Sequence, residues 1–143
     1  MLFNKNTKYH SKKVLCDGIA FDSKAERDYY LYLKALEKAH EVKEFLLQPE
    51  IVLQEGFTYE GKRYRAITYT PDFLVTYPDG RQEYIDVKGF STQQGEIKRK
   101  LYLFKGKIPL RWVAPSKKYS KTGWLDYDEL RRLRRQAKRA RES

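Results

Sequence analysis

The stretch Thr70-Pro71-Asp72-Phe73-Leu74-Val75, followed after one turn by Glu83-Tyr84-Ile85-Asp86-Val87-Lys88-Gly89, decides how this sequence reads. In a strand, successive side chains point to opposite faces. Asp86 and Lys88 therefore share one face, and Ile85 and Val87 share the other. Pro78-Asp79-Gly80 is a turn signal, so Asp72 belongs to the preceding strand, across a tight turn. Cutting a phosphodiester requires charge neutralisation at the transition state and a way to deprotonate water. A divalent metal held by two carboxylates can do both. The backbone carbonyl of Val87 suits a hard, oxygen-seeking ion such as Mg²⁺, and a lysine beside the metal can position water or stabilise developing charge. Blander readings stand beside this one. Asp86 and Lys88 can form a same-face salt bridge on an exposed strand, and Asp72 can be a turn-capping residue after Pro71.

Working outward, Gln82 to Lys88 reads as the third strand of a meander. Its first strand runs from Ile51 to about Tyr59. Glu60-Gly61 turns the chain into a second, Lys62 to Tyr77, interrupted at Pro71, which cannot donate to a ladder. Residues 42–49, ending in Gln48-Pro49, read as a connection. Upstream, Asp17-Gly18 between Val14-Leu15-Cys16 and Ile19-Ala20-Phe21 predicts a hairpin. Ser23-Lys24-Ala25-Glu26 has capping-box spacing and opens a helix to about His40. Glu26 lies on the helix side of Tyr29, Tyr30 and Leu33. A carboxylate facing the core is costly unless paired or metal-bound, or it serves only to cap Ser23. Downstream come a helix from about Thr92 to Lys105, a strand Leu110 to Ala114 closed by Pro115, a polar loop Ser116 to Gly123, and a final helix from Asp126. The class is α+β (mixed α/β), in one domain spanning 1–143.

The bulk numbers agree with a single globular domain. The chain has 143 residues, with 41% hydrophobic and 15% aromatic residues, too rich in core formers for a disordered segment. Net charge is +11, and residues 98–143 hold 16 Lys and Arg against 4 Asp and Glu. Such asymmetry points to a polyanionic partner, nucleic acid before an anionic membrane. A single cysteine, Cys16, permits no internal disulfide and suits a reducing compartment. The opening MLFNKNTKYH lacks the apolar stretch of a signal peptide, and no apolar run spans a bilayer, so a cytoplasmic protein is expected. His10 and His40 are isolated, which offers no Cys/His zinc cluster, and there is no Gly-rich phosphate loop.

Pro71-Asp72, Asp86-Val87-Lys88 and Glu26, in the order helix, three-strand meander, helix, strand, resemble the PD-(D/E)XK nuclease superfamily. The likeness covers about residues 23–114, with a basic extension over 115–143. Together with FDSKAE, Gln48-Pro49, TPDF and DVKG, the whole chain is similar to small phage- and prophage-encoded proteins assigned to that superfamily. The resemblance implies a restriction-endonuclease-like αβββαβ core. It implies catalytic residues Glu26, Asp72, Asp86 and Lys88, with Mg²⁺ (or Mn²⁺ as substitute) held by Asp72, Asp86 and the Val87 carbonyl. Glu26 would orient the attacking water or assist a second metal. Gln48 has at most a positional role. Lys98, Lys100 and Tyr102 lie on the helix where relatives carry a further functional residue, and Lys98 and Tyr102 share a face.

The basic last third supplies expected DNA contacts at Lys117, Lys118, Arg131, Arg134, Arg135 and Lys138, through phosphate binding without base reading. A solvated, partly frayed helix is the alternative. The function expected is a Mg²⁺-dependent DNA endonuclease, selective for branched DNA in the manner of Holliday-junction resolvases of that superfamily, which often work as dimers. Phage recombination, replication or packaging would be its setting. The rivals are a non-catalytic DNA-binding protein on a nuclease fold, an RNA-cutting member, and a mobile-element end-cutting nuclease.

Overall fold

A computed structural model describes residues 13–143; the reading of the first ten residues, with His10, lies outside them. Strands β1 (Val14–Cys16) and β2 (Ile19–Phe21) form a hairpin. Asp17 and Gly18 both take positive φ, 52° and 77°, as the turn between them requires. Ser23 then caps helix α1 (Lys24–Lys38), its Oγ accepting from the Glu26 N–H at 3.1 Å. The helix buries Tyr29, Tyr30 and Leu33.

The main sheet has five strands in the order β11-β10-β9-β8-β3. Strands β3 (Glu44–Leu47), β8 (Phe73–Thr76) and β9 (Gln82–Val87) are antiparallel neighbours. Helix α2 (Gln93–Lys105) crosses over to β10 (Leu110–Pro115), which runs parallel to β9. The short β11 (Trp124–Asp126) pairs antiparallel with β10 and leads into α3 (Tyr127–Glu142). The order helix, three antiparallel strands, helix, parallel strand is therefore present, in an α+β domain.

The meander's strands differ from expectation. Residues 42–49 are not a plain connection, because Glu44–Leu47 is the sheet's edge strand, paired Leu46 to Leu74 and Leu47 to Phe73. Residues 51–69 leave the sheet instead. Strands β4 (Ile51–Gln54) and β7 (Ile67–Tyr69) pair with each other, and β5 (Phe57–Tyr59) and β6 (Lys62–Tyr64) form a hairpin beyond them. The expected strand from Lys62 to Tyr77 is thus cut into three, with buried Pro71 between β7 and β8. Pro71, which cannot continue a ladder, accounts for the break between β7 and β8, while β6 and β7 separate because they pair with different strands, β5 and β4.

Two cores sandwich the sheet. On one face Phe73, Val75, Ile85, Val87 and Val113 pack against Tyr29, Tyr30 and Leu33 of α1. On the other, Trp112 and Ala114 pack against Tyr127 and Leu130 of α3. A third cluster, Leu53, Tyr69 and Tyr102, joins β4 and β7 to α2. The alternation read in β9 holds. Ile85 is fully buried against α1, while Asp86 pairs in register with Trp112 on the opposite face.

Candidate metal centre and nucleic-acid interface

Asp72 precedes β8 and is tied down twice. Its carbonyl accepts from the Gln48 N–H at 2.8 Å, and its Oδ2 accepts from the Val87 N–H at 2.8 Å. Pairing of Phe73 with Ile85 brings the next step, Asp72, opposite Asp86. Burial, then the charge of Asp86, then that of Glu26, push the Asp72 carboxyl up to about 9. The two carboxyls also lie within hydrogen-bonding reach of each other, which adds to the rise.

Asp86 is 5% exposed. Its Oδ2 accepts from the Tyr69 O–H at 2.6 Å and lies 3.1 Å from Lys88 Nζ. The Tyr69 oxygen in turn accepts from Trp112 Nε1 at 3.0 Å. Lys88 Nζ stands 4.8 Å from the Trp112 ring centroid. Burial and Asp86 raise the Tyr69 phenol, which keeps its proton for donation. Lys88 is therefore held between a carboxylate and an aromatic face, as a same-face pair would have it, but the partner is buried at the edge of a cleft.

That cleft encloses about 420 Å³ and is lined by Glu26, Tyr69, Thr70, Asp72, Asp86, Val87, Lys88 and Lys98, with Thr92, Gln94 and Gly95 from the start of α2. The helix start brings the positive end of its dipole toward the carboxylates. Glu26 donates its backbone N–H to the Ser23 cap, and its side chain lines the cleft. Burial, then the nearby Asp22 charge, raise its carboxyl. Glu26, Asp72 and Gln48 also line a smaller cavity of about 80 Å³. Among the described residues, no three His, Cys, Asp or Glu side chains close to metal-binding distance. The preformed element is the Asp72–Asp86 pair, and Glu26 lines the same cleft. Its donor set, carboxylates without sulfur or imidazole, fits a hard divalent ion.

The expected DNA contacts divide. Arg131, Arg134 and Arg135 meet Gly89 and Ala114 around a groove of about 330 Å³, one residue past Lys88. Lys98 lines the cleft itself. Lys100, Lys117, Lys118 and Lys138 are exposed but line neither. Tyr102 does not fit its assignment. It is 6% exposed, packs on Tyr84 and donates its O–H to the Ile108 carbonyl at 2.7 Å. One turn beyond Lys98 on the same side, α2 lies against the β4–β7 pair, so the side chain is structural. Sequence reasoning missed Tyr69 and Trp112, whose approach to Asp86 depends on long-range pairing. It also missed Arg99, which bonds Asp128 at 2.6 Å and stacks on Trp112 at 4.3 Å.

The fold and site together define an α+β domain with a buried carboxylate pair and a lysine on an open cleft, flanked by an arginine-lined groove. The chain belongs to the family described as protein of unknown function (DUF1064), which matches residues 6–121. No curated protein matches the chain. Among the described residues no helix is long and apolar enough to cross a membrane.

Proposed function

We propose that this protein is a metal-dependent DNA endonuclease of the PD-(D/E)XK type, hydrolysing phosphodiester bonds. One observation carries the reading: Asp72, Asp86 and Lys88 come together on the cleft that Glu26 also lines. Asp72, Asp86 and the Val87 carbonyl would hold Mg²⁺ or Mn²⁺, with Glu26 as a further carboxylate. When bound, the ion supplies charge neutralisation at the phosphate and acidifies water. Lys88, already on the cleft wall, donates to the phosphoryl oxygens as charge builds. Tyr69 and Trp112 fix the rotamer of Asp86, and Lys98 adds positive charge at the cleft's far wall. The groove of Arg131, Arg134 and Arg135 would take up the phosphate backbone leaving the site.

Branched DNA such as a four-way junction is the substrate proposed, with cytoplasmic action, in the host cell if the protein is phage-encoded. A homodimer would couple two cuts. The alternative is a DNA-binding protein that does not cut. The test uses end-labelled linear, nicked, flapped and four-way DNA with Mg²⁺, Mn²⁺ or EDTA, beside Asp86→Ala and Lys88→Ala. Cutting that depends on the metal and is lost in both variants is expected. Cutting that persists in EDTA, or in both variants, overturns the site. Tight four-way binding without cutting selects the alternative.

A further inference from the structure

The β5–β6 hairpin takes no part in the proposed chemistry, and among the described residues it joins no buried hydrophobic cluster. All six of its strand residues are exposed. The register pairs Phe57 with Tyr64 and Tyr59 with Lys62. Side chains directly opposite each other share a face, and so do residues two apart along a strand. Phe57, Tyr59, Tyr64 and Lys62 therefore form one face, and Thr58 and Arg63 form the other. The three rings are 42%, 61% and 38% exposed for Phe57, Tyr59 and Tyr64. Phe57 and Tyr64 stack with centroids 4.9 Å apart and planes 10° from parallel. Lys62 Nζ sits 5.1 Å from the Tyr64 ring centroid.

The stacked Phe57–Tyr64 pair steadies the ribbon, as cross-strand aromatic pairs do, but that does not account for Tyr59, the most exposed of the three rings, whose register partner is Lys62. The chemistry of the face selects its partner. It is aromatic, with no aliphatic side chain, and it carries an ammonium on the face with Arg63 behind and Arg65 beside. Glu55 and Glu60 only partly offset these cations. Rings interleaved with cations match nucleobases and their phosphates, since any base can stack on an aromatic face once it leaves its own duplex. The arm is also continuous with the candidate site. Tyr64 lies five residues before Tyr69, which donates to Asp86, so at roughly 3.3 Å per residue the two are at most about 17 Å apart. That is about five base steps at about 3.4 Å each.

We infer that this hairpin is a stacking arm for unpaired bases, so that the DNA bound at the cleft is one with bases splayed from the duplex nearby, as at a flap, gap or branch point. The inference rests on the nucleic-acid reading above but not on the metal site. Its test is therefore run in EDTA on the Asp86→Ala protein, where cutting plays no part. Fluorescence anisotropy measures affinity for a labelled single strand, a flapped duplex and a fully paired duplex. Phe57→Ser, Tyr59→Ser and Tyr64→Ser together are expected to weaken single-strand and flap binding by about tenfold or more, the size of one lost base stack, and paired-duplex binding by less than about twofold on the same grounds. Equal loss on all three ligands, or no loss, overturns the inference. So does a dimer that the triple change converts to a monomer, because the face would then bind protein. Should the triple change fail to fold, Tyr59→Trp alone decides. Its added emission is expected to be quenched by the flapped DNA and not by the paired duplex, and quenching by neither or by both overturns the assignment.

Discussion

Replacing Asp72 with Asn is expected to make the metal-free protein more stable at neutral pH. Asn keeps an oxygen for the Val87 N–H, bonded at 2.8 Å in the parent, and offers Asp86 an N–H where the raised Asp72 carboxyl offers an O–H, with no proton to be taken up on folding. The magnitude follows from proton linkage. The folded Asp72 carboxyl is raised from 3.8 to about 9. A raised acid favours folding fully only below its unfolded value. Between 3.8 and about 9 the folded protein holds a proton that the unfolded chain has released, so stability falls as pH rises through that window. The slope for one proton is about 1.4 kcal/mol per pH unit, or about 3 kcal/mol between roughly pH 5 and 7. Urea unfolding in EDTA, at half-unit steps from about pH 5 to 8, measures it. The difference between Asp72→Asn and parent is expected to widen with pH by an amount of this order, while other titrating groups cancel. Mg²⁺ should narrow it, stabilising the parent more at higher pH because binding expels the proton. A difference that stays flat across the range, or an Asn variant less stable than the parent at about pH 8, would show that Asp72 is not a raised acid in the folded protein. The two carboxyls would then not be in opposition, and the metal reading would lose its main physical support.

Two further outcomes are expected. Tyr69→Phe removes the donor to Asp86 and leaves Trp112 Nε1 without its acceptor; a hydrogen bond to a charged group is worth about 1.5–3 kcal/mol, so thermal unfolding should show a loss of about 2 kcal/mol or more, together with a slower cutting rate. Arg134→Ala with Arg135→Ala should weaken binding to all DNA ligands alike and lower the slope of log affinity against log salt by about 1–2, as expected for one or two lost phosphate contacts; a change confined to one sequence would instead mean base reading.

The candidate site was legible in the sequence to the extent that it lies within one strand. Asp86, Lys88, Ile85 and Val87 are sorted by a period of two, and the structure sorts them the same way. Ser23 and Asp17-Gly18 announced their cap and turn because both are local backbone chemistry. The edge strand Glu44–Leu47 was not legible. Leu46 and Leu47 are 58% and 39% exposed, so Glu-Phe-Leu-Leu shows no inside-outside alternation. Its pairing with β8 is bought by backbone bonds that no side-chain pattern records. Strand β11 was hidden for a similar reason, being three residues placed between a loop and a helix cap. Tyr102 misled because helical spacing does set it on the side of Lys98, but spacing does not say what lies one turn along. Here it is the β4–β7 excursion, which only the tertiary fold brings against α2.

The two carboxyls of the pair are supported unequally, and the inequality is what the proposed metal site would require and a structural ion pair would not. Lys88 and Tyr69 both reach Asp86 Oδ2. The group held on Asp72 is the Val87 N–H, too little to keep its carboxyl in the ordinary range against burial and two neighbouring acids. A structural network gains by satisfying each buried polar group, and replacing the Asp72 charge by an amide would do so. Keeping an acid there lowers stability at neutral pH, because the folded protein must hold a proton that the unfolded chain releases, the balance expected where function and stability pull apart. Glu26 strengthens the same tendency from α1, since its own carboxyl is raised by burial and by Asp22. A surface salt bridge between Asp86 and Lys88 explains neither the opposed second carboxyl nor the third acid on the cleft. The proposed divalent ion would offset these acids together, on a cleft one residue from a groove lined by three arginines.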